Sequence, residues 1–436
     1  MMINTPERLT ELLVAQRENE DLGGTLVPHD FYHRKIEHAW RRASRTDAYR
    51  DSGAFSWDAF LQLPVTAKSA LKSAPWRFAA SEIDASLKYY ETTGTTGGGT
   101  PAPRLPEDII WNVVSVASAW RELLGDDQRV ISLLPSDVVP VGDLVASVCE
   151  YLGVPHARAY PFATGISDWD RVIRLWQTLQ PTSVFVAPGV ALQLTRLLQQ
   201  RGLLTEISAS VRTINLLGEV SSRSMRARLG QWWTARVYDA SYGSTETGTL
   251  GAACTRDNLH VLAASHYLEV RTQAGVVPVD PGVAGRLIVT PLNLHARPLL
   301  RYDTGDDVTV SGDCPCGSPV PVLTVLGRAT DSVEVRRASL SPRLVEDLVY
   351  ELTSATGYLL DVDEAHTRFR LLLERFPGQG REAEAVSIDA LRTAFQDRAG
   401  VTCDAIAFVN TLPSTTKSGA SQKSWKRSNV RVLEGW

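Results

Sequence analysis

The chain has 436 residues, of which 44% are hydrophobic and 22% charged, an ordinary composition for a globular protein of two or three domains. Its net charge of −4 and pI near 6.1 exclude the basic footprint of a nucleic-acid binder, and no apolar run is long enough to span a membrane. Five sparse cysteines argue against a secreted disulfide framework and residues 1–20 contain no signal-peptide core, so we expect a cytoplasmic protein.

The first third of the chain is predicted to be helical, with helices at residues 31–44 and 57–63. Residues 92–100, which we call the Thr/Gly loop, then interleave threonine with glycine. Glycine allows positive φ and close backbone approach, and threonine hydroxyls add hydrogen-bond donors, so the loop can form an anion-binding concavity. No lysine follows its last glycine, which excludes a Walker-type phosphate loop. A flexible surface loop is the alternative for this run taken alone.

Residues 130–238 alternate between short apolar strands and segments with helical spacing. The predicted strands lie at 130–134, 183–186, 213–217 and 236–238, and the helices between them at 169–179 and 190–200. Strands that alternate with helices are typical of a mostly parallel sheet that is covered on both faces.

After residue 250 the pattern becomes β-rich, and beyond residue 330 it becomes mixed. Strands are predicted at 266–272, 285–290 and 307–310, then helices at 342–355 and 387–398 with strands at 367–373 and 405–409. The fold class is therefore α/β. We expect a large N-terminal domain, residues 1–327, with mostly parallel sheets and a β-rich subdomain at about 251–327, and a small α+β domain at 328–436.

Three later segments have chemistry that complements the Thr/Gly loop. They are Tyr242-Gly243-Ser244-Thr245-Glu246, Arg301-Tyr302-Asp303-Thr304-Gly305-Asp306 and Gly327-Arg328-Ala329-Thr330-Asp331. In this order the four segments resemble the core motifs of the adenylate-forming superfamily. Residues 63–68, which read Leu-Pro-Val-Thr-Ala-Lys, are similar to a signature of its phenylacetate-CoA ligase branch. The resemblance extends from about residue 32 to about residue 427.

The resemblance implies an AMP-forming acid–thiol ligase that converts a carboxylic acid, favoured as aromatic, into an acyl adenylate with ATP and passes it to CoA. Such chemistry needs positioning and charge neutralisation more than acid–base catalysis. The loop residues implied to hold the β- and γ-phosphates, through side chains or backbone amides, are Thr92, Thr93, Gly94, Thr95, Thr96 and Gly97.

The resemblance also assigns roles in the other motifs. Glu246 corresponds to a Mg²⁺-binding glutamate, Thr245 to a hydroxyl on the α-phosphate, and Tyr242 with Gly243 to the adenine contact. Asp306 corresponds to the carboxylate that binds both ribose hydroxyls, and Arg328 to a ribose or phosphate contact beside a hinge near residue 330. A solvated loop carboxylate is the alternative for Glu246, and a surface charge for Arg328.

The family's catalytic lysine has an imperfect counterpart here. Ala420 follows Gly419, where lysine is expected, and Lys423 restores the spacing only if three residues are inserted. We assign the role to Lys423, with Lys426 and Lys417 as alternatives and a solvated basic tail as the structural interpretation.

Four residues have the composition of a structural zinc site: Cys254, His260, Cys314 and Cys316. The phenylacetate-CoA ligase branch is similar here, and a glycine after the second pair suits a tight turn. The alternative is that the cysteines pack as small hydrophobic residues and the histidine lies in the core.

One departure from the family bears on the acceptor. Arg337 stands where the ligase branch has a glycine beside the path of CoA, so an amine or a carrier-protein thiol is an alternative acceptor, and a non-carboxylate acid an alternative substrate. A non-catalytic nucleotide-binding homologue is the rival from another class. Homodimers are common among proteins of this size, but nothing in the sequence indicates one.

Overall fold

The structure is a computed structural model, and it describes residues 3–22, 27–92, 99–328, 331–412 and 429–434. The helices are α1 (Pro6–Asp21), α2 (His29–Ala43), α3 (Trp57–Gln62), α4 (Lys68–Ser73), α5 (Pro106–Trp120), α6 (Val141–Leu152), α7 (Trp169–Leu179), α8 (Pro188–Gln200), α9 (Leu204–Ser208), α10 (Arg223–Trp233), α11 (Pro342–Leu352) and α12 (Arg381–Ala399). Short 3₁₀ turns lie at Pro75–Phe78 and Ile83–Ala85.

The strands are β1 (Lys88–Glu91), β2 (Pro101–Arg104), β3 (Val130–Ser132), β4 (His156–Arg158), β5 (Ser183–Val186), β6 (Thr213–Leu216), β7 (Arg236–Asp239), β8 (Ser241–Ser244), β9 (Gly248–Ala253), β10 (Leu259–Val261), β11 (His266–Thr272), β12 (Gly275–Pro278), β13 (Ala284–Pro291), β14 (Tyr302–Ser311), β15 (Val322–Gly327), β16 (Val333–Val335), β17 (Ala338–Leu340), β18 (Gly357–Asp363), β19 (Phe369–Glu374), β20 (Ala405–Val409) and β21 (Val430–Leu433).

The chain divides into two compact units, each built from separated segments. The first unit comprises Met1–Gln128, Pro135–Ala157 and Asp239–Leu326, and the second comprises Arg129–Leu134, Arg158–Tyr238 and Gly327–Trp436.

The first unit is built around an eight-stranded sheet with the order β12-β11-β13-β14-β15-β10-β9-β8. Antiparallel pairing joins β8 to β9, β9 to β10, and β11 to both β12 and β13. Helix α5 packs against β9 and also against α1, where Ala15 meets Ile110, Trp111 and Val114 in a buried apolar cluster. The separate β1–β2 hairpin, which we call the Thr/Gly hairpin, flanks the Thr/Gly loop in the chain.

The second unit contains strands β3, β5 and β6 and residues 236–238 of β7, which neighbour one another in that order, and β3, β5 and β6 are parallel. Every residue of β5 and β6 is buried, as expected for strands that are covered on both faces. The same unit contains the β16–β17 hairpin, the four-stranded sheet β20-β19-β18-β21 and helices α11 and α12.

Side-chain caps determine where several helices begin. In each case an oxygen accepts the backbone N–H three residues along, which satisfies a donor that the first helical turn leaves unpaired. The capping residues are Thr5 in α1, Ser56 in α3, Asp168 in α7, Ser222 in α10 and Ser341 in α11.

The predicted mixed α/β fold class is confirmed, while several elements differ from the sequence-based prediction. Helix α5 lies in the first third, which is predicted to be helical, but its bounds are not predicted, because it has apolar residues on nearly every face and lacks the amphipathic pattern that marks a surface helix. Strand β14 begins at Tyr302, ahead of the predicted start at 307, and the antiparallel sheet begins with β8, ahead of residue 251. Within the described part of the chain, no helix has the length and apolar character needed to cross a membrane.

Candidate active site

The base of the Thr/Gly loop is closed by hydrogen bonds between Thr92, which follows β1, and Thr100, which precedes β2. Thr92 N donates to Thr100 O at 3.1 Å, and Thr100 N donates to Thr92 Oγ1 at 2.9 Å. A Cβ on Gly99 would lie 2.6 Å from the carbonyl oxygen of Thr92, so this position needs glycine. The predicted phosphate contacts Thr93, Gly94, Thr95, Thr96 and Gly97 lie outside the described residues and stay predictions.

The 242–246 motif forms β8 and the turn into β9. Its Tyr242 hydroxyl donates to Asp306 Oδ2 at 2.8 Å, which brings the predicted adenine and ribose contacts together. Gly243 has no space for a side chain, because an added Cβ would collide with the backbone carbonyl of Gly248. Glu246 is 7% exposed, so it is not the solvated loop carboxylate of the alternative interpretation.

The 301–306 motif continues from a buried arginine into β14. Arg301 has a φ of 48° and donates to both carboxylate oxygens of Glu269 at 3.0 Å, and to Leu63 O at 2.8 Å. Beyond it, Gly305 has a φ of 82°, and Asp306 N donates to Thr304 Oγ1 at 3.1 Å. These bonds fix the turn that carries the Asp306 carboxylate.

The 63–68 signature is bonded directly to this strand. Thr66 N donates to Arg301 O at 2.9 Å, and Asp303 N donates to Thr66 O at 2.9 Å. Lys68 Nζ donates to Thr304 O at 3.1 Å. The signature therefore has a structural role, since it supports the backbone of the 301–306 motif.

Two buried arginines connect the Thr/Gly hairpin to the other motifs. Arg104, at the end of β2, donates through Nη2 to Thr245 O at 2.5 Å, and Arg297 donates through Nη1 to Pro101 O. Glu246 interacts electrostatically with both guanidinium groups and favours their charged forms. The Thr/Gly hairpin, Glu246 and Asp306 thus belong to one connected set of residues within the first unit.

Burial is the main cause of the pKa shifts of three residues in this region. It raises the pKa of Asp108 to about 6, although the Arg104 charge and backbone N–H donors oppose the shift. Burial, followed by repulsion from Arg104, lowers the pKa of Arg297 to about 10. His266, whose Nε2 lies 3.0 Å from Thr247 O, has its pKa lowered by burial to about 4 and is neutral at pH 7.

Sequence analysis did not identify Arg104, Arg297 or Asp108, because the family motifs do not include them. One signal was present: Arg297 is the charged residue within the apolar stretch that leads into the 301–306 motif. Such a charge, if buried, requires a partner or a function.

The remaining predicted site residues are Arg328 and the candidate catalytic lysines. Arg328 is exposed in the second unit, and its carbonyl accepts a hydrogen bond from Asp331 N at 3.0 Å. Lys423 and its alternatives Lys417 and Lys426 lie outside the described residues, so the position of the catalytic lysine stays a prediction.

The four predicted zinc ligands converge in the first unit. The ligand atoms of Cys254, His260, Cys314 and Cys316 all lie within 4.8 Å of one another. Cys254 Sγ is 3.7 Å from Cys314 Sγ, and Cys316 Sγ is 3.2 Å from His260 Nε2. His260 Nδ1 lies 2.8 Å from Val320 O, and a ring proton on Nδ1 leaves Nε2 as a ligand atom.

The comparisons with known proteins agree with the predicted resemblance. The chain is 25% identical over 256 residues to a phenylacetate-coenzyme A ligase of Thermus thermophilus, a match that covers 55% of this chain and 56% of that protein. It is 25% identical over 311 residues to a phenylacetate-coenzyme A ligase of Aromatoleum evansii, covering 70% of this chain and 69% of that protein. No family model matches the chain.

A solved structure of 2-hydroxyisobutyryl-CoA ligase, in the postadenylation state with 2-HIB-AMP, is similar over most of its length. The TM-score is 0.77 at 16% identity, and the match covers 92% of this chain and 88% of that chain. This likeness shows a shared fold. The chain spans about half the length of the Thermus relative, and the identities are low, but both curated relatives carry the ligase name that the motifs predict.

Proposed function

We propose that this protein is an AMP-forming acid–thiol ligase that activates a carboxylic acid with ATP and transfers the acyl group to CoA. One observation carries the proposal: the Thr/Gly hairpin, Glu246 and Asp306 are connected through Arg104, Arg297 and Tyr242. Three elements that would each recognise a different part of ATP, namely polyphosphate, metal and ribose, are therefore neighbours. The named relatives support the same class of reaction.

The reaction would proceed in two displacements. A carboxylate oxygen of the acid attacks the α-phosphorus of ATP, the bond to the bridging oxygen breaks, and pyrophosphate leaves. The thiol of CoA then attacks the acyl carbon, its proton is lost, and AMP leaves with the oxygen of the original carboxylate.

The side chains of the site suit positioning and charge neutralisation. Asp306, oriented by the Tyr242 hydroxyl, would accept the ribose hydroxyls, and Thr245 would contact the α-phosphate. Glu246 fits a hard cation because it is a buried carboxylate beside the expected polyphosphate site, and Mg²⁺ there would neutralise phosphate charge. Lys423 is the proposed source of positive charge at the reacting carboxylate.

An aromatic acid is the proposed substrate class. The phenylacetate named in both relatives supports the same class.

A structural zinc ion is also proposed. Three thiolates and one imidazole nitrogen match the donor set of closed tetrahedral sites, and the hydrogen bond of His260 to Val320 O would orient the imidazole. The ion would connect the end of β9, strand β10 and the segment that leads into β15.

Pyrophosphate–ATP exchange with a panel of aryl and alkyl acids tests the function. We expect acid-dependent exchange in the wild type, and a loss of about a hundredfold or more in Glu246→Gln, because charge neutralisation at the phosphates is lost. Glu122→Gln, at an exposed position, is the matched control and should keep the wild-type rate.

A wild-type enzyme that shows no exchange with any acid would contradict the proposed reaction. Exchange at the wild-type rate in Glu246→Gln would contradict the role proposed for Glu246. AMP release measured with CoA, and separately with amines, then identifies the acceptor. Turnover with CoA supports the thiol ligase, whereas turnover with an amine alone would favour the alternative acceptor. That alternative follows from Arg337, which stands where the ligase branch has a glycine.

A further inference from the structure

Arg297 is buried in a way that its hydrogen bonds do not explain. The residue is 1% exposed, yet among the described residues only Nη1 finds an acceptor, the carbonyl oxygen of Pro101. Its Nε and Nη2 groups are buried without a hydrogen-bond partner in the part of the chain that the structure describes. A buried donor without an acceptor costs about 1–3 kcal/mol, so two of them are an unusual feature of a folded core.

The second member of what we call the arginine pair is Arg104, which is 7% exposed. Its guanidinium donates to the carbonyl oxygens of Pro103, at 2.9 Å, and of Thr245. The two arginines are close enough for the charge of Arg104 to lower the pKa of Arg297. Two like charges are therefore held together in a buried place, which is unfavourable unless an anion lies between or beside them.

The carboxylates nearby balance this charge only in part. Asp108 faces Arg104, but its oxygens already accept the backbone N–H groups of Leu105, His295 and Ala296. Glu246 interacts with both arginines and is the carboxylate that they share. Glu246 is also the residue proposed above to hold Mg²⁺, so it cannot serve solely as their counter-ion.

The position of the pair indicates which anion it would take. Pro101, the acceptor of Arg297, comes directly after the Thr/Gly loop, and Thr245, the acceptor of Arg104, precedes Glu246. The pair thus lies at the base of the loop proposed to enclose the β- and γ-phosphates. A guanidinium with two donors on one edge matches the geometry of phosphate oxygens.

We propose that Arg297, supported by Arg104, is a binding residue for the pyrophosphate portion of the nucleotide, with Nε and Nη2 donating to phosphate oxygens. This inference rests on the proposed ligase function and deepens it, since it assigns the floor of the polyphosphate site to residues outside the recognised motifs. A purely structural role, in which Arg297 only holds Glu246 in place, is the competing explanation.

Equilibrium binding separates the two explanations because AMP lacks the phosphates in question. Isothermal titration calorimetry would compare Mg·ATP, Mg·pyrophosphate and AMP on the wild type, Arg297→Met and Arg297→Lys. We expect Arg297→Met to weaken the binding of Mg·ATP and Mg·pyrophosphate by about tenfold or more, because charged hydrogen bonds to the phosphates are lost. The affinity for AMP should stay within about twofold of the wild-type value. Arg297→Lys keeps the charge but not the paired donors, and should fall between the two.

Arg226→Met is the matched control, because Arg226 is also a buried arginine, at 7% exposed, but donates to Ser221 in the second unit. It should not discriminate between the three ligands. Equal losses for ATP and AMP in Arg297→Met, or no loss at all, would overturn the inference. If Arg297→Met does not fold, the same comparison on Arg297→Lys decides. A wild type that binds neither Mg·ATP nor Mg·pyrophosphate would instead contradict the proposed function itself.

Discussion

Arg336 and Arg337 are the two central residues of the tight turn between β16 and β17, and both have positive φ, at 51° and 71°. Turns of this geometry favour Asn-Gly, because a side chain in the left-handed region crowds its own backbone. Arg336 offsets this cost with hydrogen bonds to Thr402 O, at 3.1 Å, and to the carboxylate of Asp404. The Arg337 side chain is exposed, so burial does not offset the strain of its left-handed backbone conformation.

Replacing Arg337 with glycine should therefore stabilise the protein by up to about 1 kcal/mol, as the left-handed strain is relieved at the price of some unfolded-state entropy. Arg336→Gly is the control and should destabilise, since it removes the bonds to Thr402 and Asp404. Chemical denaturation of the two variants measures both effects. A lower midpoint for Arg337→Gly than for the wild type would show that this side chain makes contacts that matter more than the strain.

Some of the site residues can be predicted from the sequence and others cannot. The Tyr242–Asp306 pair and the cluster around Cys254 follow from motifs, since the family pattern names those positions. The arginine pair does not, because its importance depends on burial and on partners such as Pro101 and Thr245, which only the folded chain brings together.

Helices α10 and α11, both in the second unit, pack together through a buried acid. Glu346 of α11 accepts the backbone N–H of Ser222, the N-cap of α10, at 2.6 Å. Desolvation raises the pKa of Glu346 to about 7, with a smaller contribution from Asp347 in the same direction, while Ser222 and Arg226 oppose it. The carboxyl is therefore close to half protonated at neutral pH.

This raised pKa has a definite sign for stability. The folded state binds the Glu346 proton more tightly than the unfolded state, whose pKa is near 4.5, so the contribution is fully present below about pH 4.5 and is lost as the pH rises through about 7. Glu346→Gln should remove this part of the pH dependence, and its stability relative to the wild type should increase between pH 5 and 8. Thermal unfolding of both proteins across this range is the measurement, and parallel curves would contradict the assignment.

The Cys/His cluster is the second feature at the scale of elements. If it holds zinc, the purified protein should contain about one zinc per chain by elemental analysis, because such sites bind tightly. Cys314→Ser should lose the metal and lower the melting temperature, whereas Cys149→Ser, at a buried cysteine outside the cluster, should keep the metal. Wild-type protein that is prepared with zinc present and contains none would exclude the site.

Elements were predictable where a local pattern determines them. The buried strands β5 and β6 and helix α7 follow from short apolar runs and amphipathic spacing, and α7 begins where Asp168 caps it. Helix α5 lies in the first third of the chain, which is predicted to be helical, but its bounds were not predicted, because a helix buried on nearly all sides has no polar face for the periodicity to reveal. Strand β14 was predicted to begin too late, since its first residues belong to the polar 301–306 motif.

At the scale of the whole molecule, the α/β class and a β-rich region after residue 250 could be predicted from the order of the elements, although the antiparallel sheet already begins with β8 at Ser241. The domains at 1–327 and 328–436 stay a prediction. The compact units are a separate grouping, and their segments interleave along the chain, with Arg129–Leu134 and Arg158–Tyr238 grouped with the residues after Gly327. Contacts between distant segments, such as Ser222 with Glu346, determine that grouping, and no local pattern encodes them.

This interleaving constrains how the polypeptide can acquire its native form. Strands β3, β5 and β6 leave the ribosome well before α11 and β18, the later parts of the same compact unit. These strands can pair with one another as they emerge, but their unit is complete only when the distant segments arrive, and each such encounter carries a loop-closure entropy. A nascent chain of this architecture exposes apolar strand surface for longer than one whose units are contiguous, so assistance from chaperones during synthesis is expected to matter.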